Sequence, residues 1–466
     1  MDLKPSSSRS FLMNLTLGKQ ASLASMLMLC LAQLFALDAY AQLPLPAAGQ
    51  NALRIEGSNT IGDALAPALV EALMQREGLK NIKIQTMPEA NLKRITGPVA
   101  NGQAVHVEVV AQGSSAGFTA LAEQRAEVAA SSRPIRDQEV ERLAAAGDMR
   151  SASAEQVIGI DGVAVIVHPR NALNQLTSAQ LAGVFSGSIK TWEELGGSGG
   201  EIRVMTMDDN SGTFDTFNTA VLAAQGMTLR TDTGRYAVSS VLADDVAQTP
   251  QSIGFVGLAY VGKAKPLAIA DGQAEAMAPT LGLVASEDYP LSRRLFLYLK
   301  PDEQNPWARA LVAFAQSPEG QQVVAANGFV AQTVSAIKVD VSTDMPERYR
   351  HLVENAQRLS VTFRFNEGNA TLDNKAIQDV QRIVSFLKAE NKLSARVSLI
   401  GFGDAKEDPA RALLLSKLRA MAVRRELSKA GVTVQDVEGL GQILPVASNE
   451  IESGRIKNRR VEVWVY

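Results

Sequence analysis

Cysteine is all but missing from this chain: among 466 residues there is only Cys30, inside an apolar N-terminal run. The chain beyond that run has no thiol and no disulfide. Histidine is nearly as scarce, and His106, His168 and His351 are too scattered to build a zinc site. No metal and no cofactor is expected. A strong charge of either sign is missing too. A formal net charge of -3 with 20% charged and 46% hydrophobic residues excludes a polycationic nucleic-acid binder and a disordered chain. Nucleic acid is therefore not an expected partner, and the length calls for two or three folding units.

At the N-terminus Lys4, Arg9 and Lys19 precede the apolar run Ala21 to Leu37, and Ala39-Tyr40-Ala41 gives the small-x-small pattern of a signal-peptidase site. Residues 1–41 are expected to be a cleaved signal peptide, with the cut before Gln42. The alternative is an uncleaved anchor, since the run is only slightly short of a spanning helix. Leu27-Met28-Leu29-Cys30 has bulky Leu29 where a lipoprotein box needs a small residue, which argues against lipidation.

From about Ala52 to Gln332, short β-rich runs such as Leu53–Ile55, Val105–Val110, Gly162–Val167 and Arg203–Thr206 alternate with helical patterns such as Ala64–Arg76, Phe118–Gln124 and Ser178–Phe185. That order predicts parallel sheets in an α/β fold. A polar stretch, 335–360, with a helix over Pro346–Arg358, is expected to be a linker. Beyond it come a strand at Val361–Phe365, a helix at Asp373–Ala389, a strand at Ala395–Gly401, a helix at Pro409–Ala430 capped by Asp408, a short strand near Val434–Val437 and a last strand from Arg459.

In this last unit the sequences Val361-Thr362-Phe363-Arg364-Phe365, Leu399-Ile400-Gly401-Phe402-Gly403-Asp404, Leu415-Ser416-Lys417-Leu418-Arg419-Ala420, Gly439-Leu440-Gly441 and Asn458-Arg459-Arg460-Val461-Glu462 occur in order. Together they resemble the OmpA-like peptidoglycan-binding family over 361–466, an α+β domain with a mixed sheet. Asp404 follows a strand and Arg419 lies in the next helix, fifteen residues on, which is the family spacing. A strand-turn-helix return can bring them side by side. A zwitterionic amino-acid end, such as diaminopimelate in a peptidoglycan stem peptide, needs one anion and one planar cation. The resemblance gives those roles to Asp404 and Arg419, and a place on the ligand surface to Asn458 or Arg459. A plain structural ion pair is the bland alternative. Phe402 and Gly403 depart from the family's usual histidine and threonine, and Ala412 from its asparagine.

Upstream, Gly57-Ser58-Asn59-Thr60, Gly113-Ser114-Ser115-Ala116-Gly117, Ser131-Ser132-Arg133-Pro134 and Asp209-Asn210-Ser211-Gly212-Thr213 come after expected strand ends. Each alone reads as an ordinary helix cap. Four in one α/β region suggest a cradle of backbone N–H and hydroxyl donors for an oxyanion. With Leu181-Ala182-Gly183-Val184-Phe185-Ser186-Gly187 and Gln251-Ser252-Ile253-Gly254-Phe255-Val256, they resemble the PstS-like phosphate-binding proteins of ABC transporters over about 52–334. The resemblance implies a two-lobed periplasmic-binding-protein fold of α/β class. Phosphate or a related oxyanion would be held by Ser58, Asn59, Thr60, Ser114, Ser115, Ser132, Ser211, Gly212 and Thr213. Met207 stands where the family often has arginine, so Arg133 is the expected source of positive charge. Asp209, or its neighbour Asp208, could accept the proton of monohydrogen phosphate, or simply cap the following helix.

Two other classes compete. Gly113-Ser114-Ser115-Ala116-Gly117 also fits the G-x-S-x-G elbow of a serine hydrolase, but neither His168 nor His351 stands in a convincing triad context. An adhesive or structural envelope protein with a degenerate receptor domain is favoured by Met207. The reading reached is a non-enzymatic periplasmic solute-binding protein, exported and tethered to the cell wall or outer membrane. Its expected partners are an oxyanion, a peptidoglycan stem peptide and, by the resemblance, an ABC permease.

Overall fold

A computed structural model describes residues 43–47, 49–89, 91–99, 102–209, 211–342, 345–393 and 397–466. The expected signal peptide with Cys30, and Asn210 in the fourth hydroxyl-rich segment, lie outside these residues. Among the described residues no helix is long and apolar enough to cross a membrane.

The first part opens with β1 (Leu53–Gly57) and α1 (Ala66–Arg76), then β2 (Lys83–Thr86), β3 (Leu92–Pro98) and β4 (Ala104–Ala111). Next come α2 (Ser114–Ala122), β5 (Val128–Ser131) and β6 (Glu155–Val167). A second lobe adds α3 (Ser178–Ser186), β7 (Arg203–Met207), α4 (Gly212–Phe217), β8 (Gly234–Tyr236), α5 (Ser239–Gln248) and β9 (Ser252–Gly257) before β10 (Ser292–Tyr298), α6 (Pro306–Gln316) and α7 (Pro318–Ala326). Helix starts are written in the sequence. Thr177 and Gln180 form a reciprocal capping box at α3, and Asn305-Pro306 and Ser317-Pro318 place a capping oxygen ahead of a proline that needs no N–H partner.

The sheet is not all parallel, which corrects the expectation from element order. β1 pairs in parallel with β4 and β5, and β7 with β8 and β9. β2, β3 and β4 form an antiparallel meander, and β10 runs antiparallel to both β5 and β6. The decisive strand is β6. Its first half pairs with β10 and its second half, from Val163, pairs antiparallel with β9, so one buried thirteen-residue strand passes through both lobes. Its near-continuous apolar run, Val157 to Val167, is what burial on both faces requires.

The C-terminal part contains β11 (Ala336–Ile337), α8 (Glu347–Asn355), β12 (Gln357–Arg364), α9 (Asn374–Ala389), β13 (Val397–Gly401), α10 (Pro409–Lys429), β14 (Val434–Gly439), α11 (Glu452–Asn458) and β15 (Arg460–Val465). Its mixed sheet has the order β11-β12-β15-β13-β14, with only β13 and β14 parallel. Asp373 and Asp408 cap α9 and α10 as their positions before the helices imply. The stretch expected as a linker is largely folded into this sheet. β12 begins at Gln357, four residues early, β11 pairs with it, and α8 lays Tyr349 and Leu352 against Ile400, Phe402 and Trp464. Tyr349 meets the Phe402 and Trp464 rings edge-on at 5.8 and 5.6 Å. Phe402 thus departs from the family's histidine because it is part of this apolar layer.

The two parts belong to one compact unit, Leu45–Tyr466, and charged groups join them. Asp288, fully buried ahead of β10, is held by the guanidinium groups of Arg358 and Arg364 on β12. Arg294 bridges Glu287 at 2.9 Å and Asp373 at 2.6 Å, while Lys375 lies 3.4 Å from Glu287. Burial alone would raise these carboxyl pKa values. Arg294, Lys375 and Arg364 more than reverse it for Glu287, which falls to about 2, and Arg358, Arg364 and Arg460 hold Asp288 far below its usual range.

Removing one member strands the others. Asp288→Asn should destabilise the chain by about 3–5 kcal/mol in denaturant unfolding, because buried Arg364 loses its carboxylate and buried Arg358 keeps only Glu462 at 3.6 Å. Glu287 has a folded pKa below its ordinary 4.5, so its contribution is complete above that pH and is lost as pH falls towards 2. Thermal unfolding across this window should show the melting temperature dropping, and Glu287→Gln should flatten the drop.

Candidate functional site

Strand ends at the boundary between the lobes bring the hydroxyl-rich segments together. Gly57 closes β1 at φ +141°, and a Cβ there would stand 2.0 Å from the Ala130 carbonyl oxygen, so only glycine lets β1 and β5 turn into the site side by side. Ser58, Asn59, Thr60, Ser114, Ser115, Ser132, Arg133, Asp209, Ser211 and Gly212 all line one cavity of about 730 Å³; Thr213 stands outside its lining. The segments are tied to one another. The Asn59 Oδ1 accepts from the Gly113 N–H at 3.0 Å, and the Ser132 N–H donates to the Ser114 hydroxyl at 3.2 Å. Across the lobes, a Cβ on Gly212 would fall 1.8 Å from the Thr60 hydroxyl, so glycine there permits direct contact between the lobes.

Arg133, the expected source of positive charge, lies in the wall of the cavity. Arg133 donates to the Ser115 hydroxyl at 2.8 Å, but its guanidinium is also held in a bidentate pair by Glu139. Asp209, at the cavity wall, is exposed and paired with Arg235 at 2.7 Å. Met207 is a core residue of the second lobe. The cation between the lobes is Arg293, which sequence reading missed. Its Nη2 donates to the Thr60 hydroxyl at 2.7 Å and to the Gly212 carbonyl at 2.6 Å, with Asp215 at 3.0 Å and buried Asp161 at 3.3 Å. It sits on β10, 233 residues from Thr60, with no motif around it. No histidine lines the cavity. His168 accepts from the Arg170 N–H, and His351 lies on α8, so Ser115 has no imidazole beside it.

In the C-terminal part, Asp404 lies three residues past β13 and Arg419 in the middle of α10, both almost fully buried. The plain structural ion pair between them, the bland alternative, is not formed. The Asp404 Oδ2 accepts from Arg459 at 3.0 Å and from Lys406 at 2.9 Å, and no ion pair links Asp404 to Arg419. Burial would raise the Asp404 pKa, but Lys406 and Arg459 hold it below the usual range; burial pulls Arg419 down, partly opposed by Asp404. The Asp404 Oδ1 and the Arg419 Nε and Nη1 are buried without a hydrogen-bond partner. Such orphaned groups cost about 1–3 kcal/mol each unless something binds them.

The closing motif is structural. Asn458 is fully buried, accepts from the Val446 and Ala447 N–H groups, and donates to the Ala447 carbonyl and to Asn449. Arg459, also buried, spends its donors on the Phe365 carbonyl, Asp404 and Glu452. Both side chains are turned to internal partners: Asn458 folds the 446–449 loop, and Arg459 positions Asp404. No group of three or more metal-ligating side chains occurs among the described residues.

A family model described as a PBP superfamily domain matches residues 47–319, and an OmpA family model matches 364–459. The chain belongs to the PBP superfamily and carries an OmpA domain at its C-terminal side. Protein SphX of Synechococcus elongatus is 30% identical over 206 residues, covering 42% of this chain and 60% of that protein, so the match spans less than two thirds of this relative. Phosphate-binding protein PstS of Staphylococcus epidermidis is 28% identical over 235 residues, 48% of this chain and 70% of that one. Among solved structures, an ABC-type phosphate transport receptor from Vibrio cholerae covers 60% of this chain and 99% of its own at 22% identity and a TM-score of 0.46. The peptidoglycan-associated lipoprotein of Burkholderia pseudomallei covers 25% and 93% at 23% identity and a TM-score of 0.21.

Asn458→Ala should lower stability by about 2–4 kcal/mol in chemical unfolding, since it strands several buried loop groups at once. A change within about 0.5 kcal/mol, the range of ordinary surface substitutions, would return Asn458 to the ligand surface.

Proposed function

We propose that this chain is a periplasmic solute-binding protein that captures phosphate or a related oxyanion between its lobes and is held to peptidoglycan by its OmpA domain. The observation that carries the first half is the convergence of the Ser58–Thr60, Ser114–Ser115, Ser132 and Ser211–Gly212 segments on one cavity, with Arg293 donating to Thr60 and Gly212 from the strand that passes between them. Neutral donors give a dense set of hydrogen bonds, and a fixed guanidinium offsets the cost of enclosing an anion. Arg293, although paired with Asp161 and Asp215, brings a guanidinium to the cradle that Met207 does not, which favours anion capture over an adhesive reading. The relatives named as phosphate-binding proteins support a binding role over the hydrolase alternative at Ser115.

The wall half rests on the unpartnered Asp404 and Arg419 atoms. A diaminopimelate end would place its carboxylate on the free Arg419 Nε and Nη1 and its ammonium on the free Asp404 Oδ1, beside the Oδ2 that Lys406 and Arg459 hold. Export by a cleaved signal peptide, residence at the wall or outer membrane, and delivery to an ABC permease complete the reading.

Calorimetric titration with phosphate, sulfate and a phosphonate tests the first half. Saturation at a hundredfold excess over Kd should add about 2.7 kcal/mol to stability, and Arg293→Gln should weaken binding by about ten- to a hundredfold. An absence of binding by all three anions to folded protein would sink it. For the second half, Asp404→Ala and Arg419→Ala should each release the protein from sedimented cell wall; full retention of both would remove the assigned site.

A further inference from the structure

The cavity does not end at the hydroxyl cradle. Its lining continues past Pro290 and Leu291 to Ile451, Ser453, Gly454 and Lys457, on or beside α11 of the C-terminal domain. At about 730 Å³ it is of the size that holds an organic molecule. Inorganic phosphate has only the bulk of a few waters, each about 30 Å³.

Charge along this lining is unevenly matched. Arg133 is paired with Glu139, Arg293 with Asp161 and Asp215, and Arg294 with Glu287 and Asp373. Arg136, also in the lining, is exposed without an ion pair among the described residues, and the half-buried cation without one is Lys457. Its ammonium donates to the Tyr289 and Pro290 carbonyls, each at 2.9 Å, and has no carboxylate within ion-pair distance among the described residues. Those two bonds leave one of its three N–H donors over. Lys457 is partly open to the cavity, yet its enclosure is the main cause that lowers its pKa to about 8; Arg364 adds to this, while Asp271, Glu287 and Asp288 oppose it. An ammonium short of a counter-ion at the far end of an oxyanion cavity is a place for a second anionic group.

We propose that the cavity takes a phosphorylated carboxylic acid, with the phosphoryl group in the hydroxyl cradle beside Arg293 and the carboxylate on Lys457 of the C-terminal domain. One spare donor and one cation match a carboxylate monoanion better than a second phosphoryl group, which carries more charge and more acceptors. The fused domain then forms part of the receptor's ligand site as well as its tether. This rests on the oxyanion reading of the cradle.

Calorimetric titration of the full chain with inorganic phosphate, glycerol 3-phosphate and 3-phosphoglycerate tests it. The two organic phosphates are similar in size and differ in the carboxylate. The expected result is that 3-phosphoglycerate binds about ten- to a hundredfold more tightly than glycerol 3-phosphate. Lys457→Gln should erase that ratio, and Lys457→Arg, which keeps the charge, should retain most of it, separating a charge effect from a disturbed fold. Equal affinities in the unaltered chain, or a ratio that survives Lys457→Gln, overturn the proposal. If phosphate binds while the ratio is absent, the cradle stands and only the second anionic site falls. If none of the three binds to folded protein, the cradle reading fails and this proposal with it.

Discussion

Asp288 is the residue on which the arrangement of this molecule depends most. It is a buried carboxylate from the receptor part, gripped by two arginines of the C-terminal sheet. Buried charge is tolerated only when paired and hydrogen-bonded, so each side supplies what the other cannot leave exposed or unpaired. Around it, Glu287, Arg294, Asp373 and Lys375 extend the network. The gain is geometric more than energetic: such a network demands one docking orientation, and that orientation lays α11 along the edge of the cleft.

The receptor fold explains why the cleft is where it is. β6 runs unbroken through both lobes, and β10 beside it carries Arg293 to the point where the lobes meet. Arg294, the next residue, also borders the cavity but spends its guanidinium on Glu287 and Asp373. Two adjacent arginines on one strand therefore serve two tasks, one in the cleft and one in the docking of the domains.

The C-terminal part shows a similar division. Arg459 holds Asp404, while Lys457, two residues earlier, faces the cleft. The segment from α11 to the start of β15 thus touches both candidate sites. Loss of the family's histidine at Phe402 is matched by α8, whose Tyr349 packs on the Phe402 ring while Arg460 stacks 3.8 Å above that ring. The stretch between the domains is part of the fold because Phe402 gives it an apolar surface to cover.

The sequence by itself determined the two families, most helices and strands, and the four hydroxyl-rich segments, because caps, periodic apolar faces and turn glycines act over a few residues. It also determined that Asp404 and Arg419 would come near one another, since a strand-turn-helix return is local. The tertiary structure alone decided that Arg293 stands between the lobes, that Asn458 and Arg459 turn inward, that the sheet of the first part is mixed rather than parallel, and that Asp288 locks the two parts together. Apart from the loop that Asn458 folds, those facts rest mainly on partners tens to hundreds of residues apart. A single arginine in a strand carries no mark of the carboxylate or hydroxyl it will meet, because the ion pair is selected only once the backbone has brought both to the same buried place.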